Sequence, residues 1–307
     1  MKRLVTLTVL CAALLAGAFG QDASVDTIAA MGYLYPSPAS VAPGQLITVF
    51  VSGNIQGNIT ATVNQVSGYP APVLEVRPAP NCVLAPSAAA CSSVTAVTVQ
   101  IPYEIIPMCF VCATPASLNT QLFVSVNGAA GALFDLTPLA DSIHILTSCD
   151  TVVPSGGGYA AYNGLPCPPL VTHGDGSLVT AASPAQGFEE LVAYAVGLGA
   201  TNPAGPTGQA ATTPVPTQES FLLDFNYRPN ALATKPLPLP MGALPTLYAA
   251  PLFSGLTEGY VGLYQINFVI PPPPTVMAAC SGAIQSNLTV SVGGQNSFDG
   301  AGICVAP

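Results

Sequence analysis

Apolar and polar residues alternate in many short segments of the chain, and this alternation predicts β-strands. Each segment carries β-branched or aromatic residues at every second position and ends at proline, glycine or asparagine, as half-buried strands do. The predicted strands span residues 46–52, 59–63, 72–77, 93–102, 121–127, 143–147, 191–196, 264–271 and 288–294. Residues 26–31 are predicted as an edge strand or a short helical turn. Asn127-Gly128 is a strong signal for a tight hairpin. The pattern therefore predicts an all-β fold.

The order of these segments occurs twice. The corresponding pairs are 39–51 with 182–196, 97–102 with 264–271, and 122–128 with 288–294. Short strands repeated in one order indicate two tandem β-sandwiches of the immunoglobulin-like type. The predicted divisions are a signal peptide at 1–20, a first sandwich at 21–148, a connecting hairpin or linker at 149–178, and a second sandwich at 179–307.

The first twenty residues have the features of a secretory signal peptide. Lys2 and Arg3 precede an apolar run over residues 4–19, and Ala18 and Gly20 place small residues before a cleavage point. The run is shorter than a bilayer requires, so a retained membrane anchor is the secondary interpretation, as is lipidation at Cys11. No later segment is apolar over a membrane's thickness. The protein is predicted to be secreted, at the cell surface or beyond it, or in the periplasm.

Charge excludes one class of function. Once the signal peptide is removed, Arg77, Arg228 and Lys235 stand against 14 acidic residues, a net charge of −11. Nucleic-acid binding requires a basic surface that displaces counterions from phosphates. We therefore predict no nucleic-acid partner. With 6% charged residues, 32 prolines and 29 glycines, the chain favours short strands joined by stiff loops.

Eight cysteines follow the signal peptide, an even number that favours disulfides in an exported protein. Pairing of sequence neighbours is the simplest of the possible arrangements. It joins Cys82 to Cys91, Cys109 to Cys112, Cys149 to Cys167, and Cys280 to Cys304. A redox-active dithiol is the alternative for Cys109-Phe-Val-Cys112, but that chemistry favours a helix N-terminus, whereas this motif lies between prolines. The sequence thus predicts structural disulfides.

Two glycine-rich motifs resemble a known family. GLGATNP at 197–203, followed by Thr207-Gly208, and GLTEGYVGLYQIN at 255–267 are similar to the uncharacterised C-terminal domain family first described from Solibacter. Residues 40–44, 100–104, 175–177 and 182–187 also fit that family. The resemblance covers most of residues 37–292. It implies a secreted acidobacterial protein with IPT/TIG-like sandwiches and carries over no catalytic residue. The eight cysteines and the longer loops at 78–92 and 107–117 depart from the family pattern.

Candidate catalytic groups are few. His144 and His173 are the only histidines, and they are predicted to lie in a strand and in a turn. Glu189 and Glu190, the only adjacent carboxylate pair, are predicted to point to opposite faces of a strand. A zinc site formed by these histidines with Cys149 and Cys167 has suitable ligands, but disulfide formation competes for the cysteines. We predict no catalytic, cofactor or metal site.

Two functional hypotheses follow. The first is a secreted, non-enzymatic structural or interaction module, adhesive in character, whose partner is an extracellular protein or glycan. The second is a carbohydrate-binding accessory protein or carbohydrate-active enzyme, a secreted hydrolase. Glu258, Tyr260 and Tyr227 are the predicted interaction surface, because the turn at 255–262 has no counterpart in the first half and tyrosines stack on sugars.

Overall fold

The computed structural model describes residues 27–30, 33–35, 38–53, 55–80, 93–108, 119–148, 150, 167–237 and 248–307. All regular elements in these ranges are β-strands, which confirms the all-β prediction. Within the described residues, twenty strands form four sheets. Every pair of named strands is antiparallel except β3 with β10, which is parallel.

Two sheets make up the first sandwich. Sheet 1 has the order β2-β1-β4-β8-β7, with β1 Thr27–Ala30, β2 Tyr33–Tyr35, β4 Leu46–Ser52, β7 Val73–Pro80 and β8 Ser93–Gln100. Sheet 2 has the order β3-β10-β9-β5-β6, with β3 Ala39–Val41, β5 Ile59–Asn64, β6 Gly68–Ala71, β9 Thr120–Val126 and β10 Ala129–Pro138. Val49 and Val97 of sheet 1 share one buried core with Val63, Leu122 and Phe134 of sheet 2.

Two further sheets make up the second sandwich. Sheet 3 has the order β11-β13-β18-β17-β14, with β12 also on β13; these are β11 His144–Ile145, β12 Val171–Thr172, β13 Glu190–Val196, β14 Val215–Pro216, β17 Phe253–Leu256 and β18 Tyr264–Val269. Sheet 4 has the order β16-β15-β19-β20, with β15 Leu222–Asn226, β16 Tyr248–Ala249, β19 Leu288–Gly293 and β20 Phe298–Ile303. Leu191, Ile266 and Phe268 pack with Leu223 and Val290 in a second core.

The strand order of the first sandwich recurs in the second. In sheet 1, β4, β8 and β7 are neighbours, as are β13, β18 and β17 in sheet 3; likewise β10-β9-β5-β6 of sheet 2 matches β20-β19-β15-β16 of sheet 4. The segments that the sequence comparison paired therefore occupy equivalent positions. The hairpin at Asn127-Gly128 is also present, and both residues have positive φ, as a type I′ turn requires.

Three predictions about the connecting segments need correction. Residues 143–147 were predicted to close the first sandwich, but β11 pairs with β13 and Ile143 lies in the second core. The predicted linker contributes β12 to sheet 3. Residues 78–80 were assigned to a loop, but they continue β7 along β8, because pairing with a complete partner strand outweighs the poor strand propensity of proline at a sheet edge.

One predicted disulfide is formed within the described ranges. Cys280 and Cys304 are bonded, with Cα atoms 5.9 Å apart. Cys167 is also disulfide-bonded, and its predicted partner, Cys149, lies outside the described residues. The other predicted pairs, Cys82 with Cys91 and Cys109 with Cys112, lie outside them as well.

Candidate functional site: the clamped loop of the second sandwich

The predicted interaction residues do not form one surface. Glu258 and Tyr260 lie in the turn between β17 and β18, where Tyr260 is 60% exposed. Tyr227 follows β15, and its hydroxyl donates to the carbonyl of Pro271 at 2.6 Å; burial raises its pKa to about 12. Tyr260 precedes β18 and Pro271 follows it, so the two sites are separated by a strand about 17 Å long.

The glycine-rich motifs build the junction between the sandwiches. Tyr264 of the second motif is fully buried, and its hydroxyl donates to the Gly199 carbonyl of the first motif at 2.6 Å. The hydroxyl of Tyr103, in the first sandwich, lies 3.2 Å from that of Tyr264. Gly208 N–H donates to Gln100 Oε1 at 2.6 Å. These motifs therefore have a structural role in joining the two halves.

Two glycines at this junction allow close approach of the backbone that connects the sandwiches. Gly197 and Gly199 have φ values of 78° and 82°, which favour glycine. A Cβ at Gly197 would lie 1.9 Å from the Ser142 carbonyl oxygen, and one at Gly199 would lie 2.0 Å from that of Ala140. The backbone of residues 139–142, which connects the sandwiches, therefore packs directly on this strand end. We call these contacts, with Tyr103 and Tyr264, the sandwich junction.

His144 is held between two carboxylates. Its Nε2 lies 2.9 Å from Asp150 Oδ2 and its Nδ1 lies 3.2 Å from Asp299 Oδ2. Burial alone lowers the pKa of this imidazole, but the hydrogen bonds and charges of the two carboxylates outweigh burial and raise the pKa to about 9. The ring is therefore an imidazolium at neutral pH. It ties the start of the predicted linker to β20 and is not a free base.

His173 and Glu189 form a second clamp. Nδ1 of His173 is 2.5 Å from Glu189 Oε1. His173 directly follows β12 and Glu189 directly precedes β13, and these two strands are neighbours in sheet 3. The other carboxylate oxygen, Glu189 Oε2, accepts the Gln186 N–H at 2.7 Å. The hydrogen bond to Glu189 is the main cause of a raised His173 pKa.

Ser183 completes a serine–histidine–glutamate arrangement. Its Oγ is 3.3 Å from Nε2 of His173, and its carbonyl oxygen is 3.2 Å from the same nitrogen. A general base needs a neutral ring whose Nε2 accepts the serine proton. Here both ring nitrogens instead face acceptor oxygens, Glu189 Oε1 and the Ser183 carbonyl, which suits a ring that donates from both nitrogens. The arrangement thus fixes the backbone of residues 180–189, which we call the clamped loop.

Main-chain hydrogen bonds immobilise the clamped loop on both sides. Ala185 N–H donates to the Cys304 carbonyl at 2.9 Å, and Ala306 N–H donates back to the Ala185 carbonyl at 2.8 Å. At the other end, Phe188 N–H donates to the Ile270 carbonyl at 2.8 Å. Cys304 is itself fixed by its disulfide to Cys280. The loop is therefore rigid although it lies at the surface.

Phe188 is the exceptional residue of this loop. Its side chain is 71% exposed, and its φ of 66° lies in the left-handed region, which is rare for a bulky side chain and costs about 1–2 kcal/mol. Residues in such conformations cluster at functional sites. Neither alternation nor composition identified Phe188; the only signal was an aromatic residue after a glycine, ahead of a strand.

A cleft of about 710 Å³ borders the clamped loop. It is lined by the loop residues Thr180 and Ala181 and by Cys167, Pro169, Leu232 and Cys304. Among the residues that the structure describes, no charged side chain lines the cleft, and two disulfide-bonded cysteines fix its walls. The loop therefore combines a displayed aromatic residue with an adjoining, mostly apolar cleft.

The described ranges contain no group of three or more His, Cys, Asp and Glu side chains arranged for a metal ion. They also contain no helix long and apolar enough to cross a bilayer.

The sequence matches no protein-family model, and no curated protein is significantly similar to it.

Proposed function

We propose that this protein is a secreted, non-enzymatic interaction module that binds an extracellular protein or glycan through the clamped loop. In this proposal, two tandem immunoglobulin-like sandwiches of the IPT/TIG type form a rigid support. The predicted signal peptide and the Cys280–Cys304 disulfide support export to an oxidising compartment.

The display of Phe188 is the observation that carries the proposal. Binding surfaces obtain most of their affinity from a few aromatic or arginine anchors, and an anchor that is already fixed loses little entropy when the partner binds. Phe188 is held in place by the Glu189 clamp and by main-chain bonds to Ile270. The backbone strain at this position has no evident benefit to folding, so a binding role accounts for it.

Substitution of Phe188 by glycine tests the proposal. The F188G variant should gain about 1 kcal/mol of unfolding free energy, because glycine adopts positive φ without strain. It should also lose about tenfold or more in affinity for the bound partner. Binding would be measured with cell-envelope fractions and glycan arrays, and stability by urea denaturation.

Phe298 supplies the matched control, since it is an exposed aromatic residue on β20. F298A should leave binding unchanged. Retention of full binding by F188G, or equal losses in both variants, would overturn the proposed role of the loop.

A secreted hydrolase is the second candidate, and the short distances from His173 to Ser183 and Glu189 favour it. Such an enzyme would transfer the Ser183 proton to Nε2 as Oγ attacks an ester carbonyl carbon; the imidazolium would then give that proton to the departing alkoxide as the ester C–O bond breaks, and water would hydrolyse the acyl-serine. Labelling of Ser183 by a fluorophosphonate, abolished in H173Q, would support this candidate over a binding module. An unlabelled protein that still binds its partner would exclude it.

A further inference from the structure

The outer face of sheet 3 carries a strip of amide and aromatic side chains. The strip residues are Glu190, Val192 and Tyr194 on β13, Gln265, Asn267 and Val269 on β18, and Phe253 on β17. They alternate with the buried core residues of the same strands. In register, Tyr194 lies opposite Gln265, and Asn267 lies between Val192 and Phe253. All seven are at least partly exposed.

A polar ladder runs along the centre of the strip. Gln265 Nε2 donates to Asn267 Oδ1 at 3.1 Å, and Asn267 Nδ2 donates to Glu190 Oε1 at 3.4 Å. These bonds orient the two amides, and the carbonyl oxygen of Gln265 and the second oxygen of Glu190 have no protein donor within the described ranges. Oriented groups of this kind can accept hydroxyl protons and donate to hydroxyl oxygens.

Aromatic rings flank the ladder on both sides. Tyr194 and Phe253 lie on the strands either side of β18. Tyr194 is opposite Gln265 and Phe253 is opposite Asn267, and this offset along the strand direction places the two residues roughly 12 Å apart. A Cβ at Gly255 would lie 2.6 Å from Phe253 Cζ, so the phenylalanine ring rests over that glycine, against the sheet. Neither ring packs against the second core. Both are therefore available as stacking platforms.

The charge of the strip favours a neutral ligand over an anionic one. Glu190 is the one charged side chain among the seven strip residues, and the whole chain has a net charge of −9. A polyanionic glycan or nucleic acid would be repelled, whereas the hydroxyls of a neutral sugar are matched by carboxylate and amide oxygens. Phe188 stands two residues before Glu190 and pairs with Ile270, just beyond Val269, so it extends the strip at one end.

We infer that this strip binds an extended chain of a neutral polysaccharide, with sugar rings stacked on Tyr194 and Phe253 and hydroxyls bonded to the amide ladder. The inference rests on the proposed function and assigns its ligand class. The exposed sheet face between Tyr194 and Phe253 suits a linear chain that crosses β18 obliquely, because the two rings lie on the strands either side of it. The occupant is a glycan, and association of two protein copies through this face is an outcome of the test.

Affinity electrophoresis in native gels tests the inference with the intact mature protein. The gels would contain hydroxyethylcellulose, galactomannan or xylan as neutral polymers, and alginate as the polyanion. We expect retardation by at least one neutral polymer and none by alginate. Y194A and F253A should each raise the dissociation constant about tenfold. Phe123 on β9 provides the matched control, because it is a partly exposed aromatic residue within a strand of sheet 2; F123A should bind like the wild type.

The Q265E variant provides a second test of the inference in case Y194A or F253A does not fold. It is isosteric, removes an amide donor and adds a second negative charge, so it should weaken binding at least threefold while the thermal transition is retained. Failure of every neutral polymer to retard the wild type, retardation by alginate, or equal binding by Q265E and the wild type would overturn the inference. A dimer in sedimentation that Y194A dissociates would also overturn it.

The two proposals fail in different ways. Capture of an envelope protein that F188G abolishes, without retardation by any polysaccharide, would retain the proposed function and reject the glycan strip. Absence of any partner for the wild type in envelope fractions, arrays and gels would reject both.

Discussion

Replacement of Tyr264 by phenylalanine removes a single oxygen from the centre of the sandwich junction. In the wild type, that hydroxyl donates to the Gly199 carbonyl at 2.6 Å and accepts from the Tyr103 hydroxyl 3.2 Å away. Burial is the main reason that the pKa of Tyr264 is raised well above its usual value and that of Tyr103 to about 12. Both groups therefore remain protonated hydrogen-bond donors at any ordinary pH.

The cost of Y264F follows from the groups left without a partner. The substitution strands a buried carbonyl oxygen and the Tyr103 hydroxyl, and such losses cost about 1–3 kcal/mol. A loss of about 2 kcal/mol should lower the melting temperature by roughly 4–8 °C in a unit of this size. Because the Tyr103–Tyr264 bond joins the two sandwiches, its loss should also broaden or split the calorimetric transition.

Differential scanning calorimetry of Y264F checks this prediction, with Y260F as its control. Tyr260 is 60% exposed, so loss of its hydroxyl should change the unfolding free energy by less than about 0.5 kcal/mol. Melting of Y264F within a degree of Y260F, in one unchanged transition, would refute the idea that the Tyr264 hydroxyl couples the sandwiches.

Two further predictions concern stability. Burial lowers the pKa of His144, but Asp150 and Asp299 outweigh burial and raise this pKa from 6.5 to about 9. The contribution of His144 to the free energy of unfolding, about 3 kcal/mol, should therefore be complete below pH 6.5 and lost as the pH rises through 9. Urea unfolding of the wild type and H144Q across this range checks it, and an equal pH slope in both proteins would contradict it. The double variant C280S/C304S opens a loop with a sequence separation of 24 and should lose about 3 kcal/mol; a denaturation midpoint equal to that of the wild type would exclude a stabilising bridge.

Alternation identified the strands in which packing and local propensity agree. β4, β8, β9, β13, β18 and β19 all appear in the sequence as runs of β-branched or aromatic residues. β20 was missed because its sequence, FDGAGI, has two glycines and an aspartate; it is a strand only because β19 pairs along its whole length. β10 begins Ala-Ala-Gly-Ala and was missed for the same reason. In these strands tertiary pairing overrides weak propensity.

The candidate site depends on contacts between distant residues, which the sequence pattern does not contain. His173 and Glu189 were each recognised as candidate groups, but their contact arises from the pairing of β12 with β13, and β12 was not predicted. Glu189 and Glu190 were predicted to point to opposite faces of a strand; Glu189 precedes β13, and the two carboxylates have different partners, His173 and Asn267. The strip of Tyr194 and Phe253 becomes visible only when the register of β13, β18 and β17 is known.

The sandwich junction has a mechanical consequence. The carbonyls of Ala140 and Ser142 lie against Gly199 and Gly197 with no side chain between them. The backbones are therefore in direct contact here, without flexible side chains that could let one slide past the other. Under tension the two sandwiches should move together, and bending at residues 139–142 would first require the Tyr103–Tyr264 hydrogen bond to break. Force that a partner applies to the clamped loop would therefore be transmitted directly to the first sandwich.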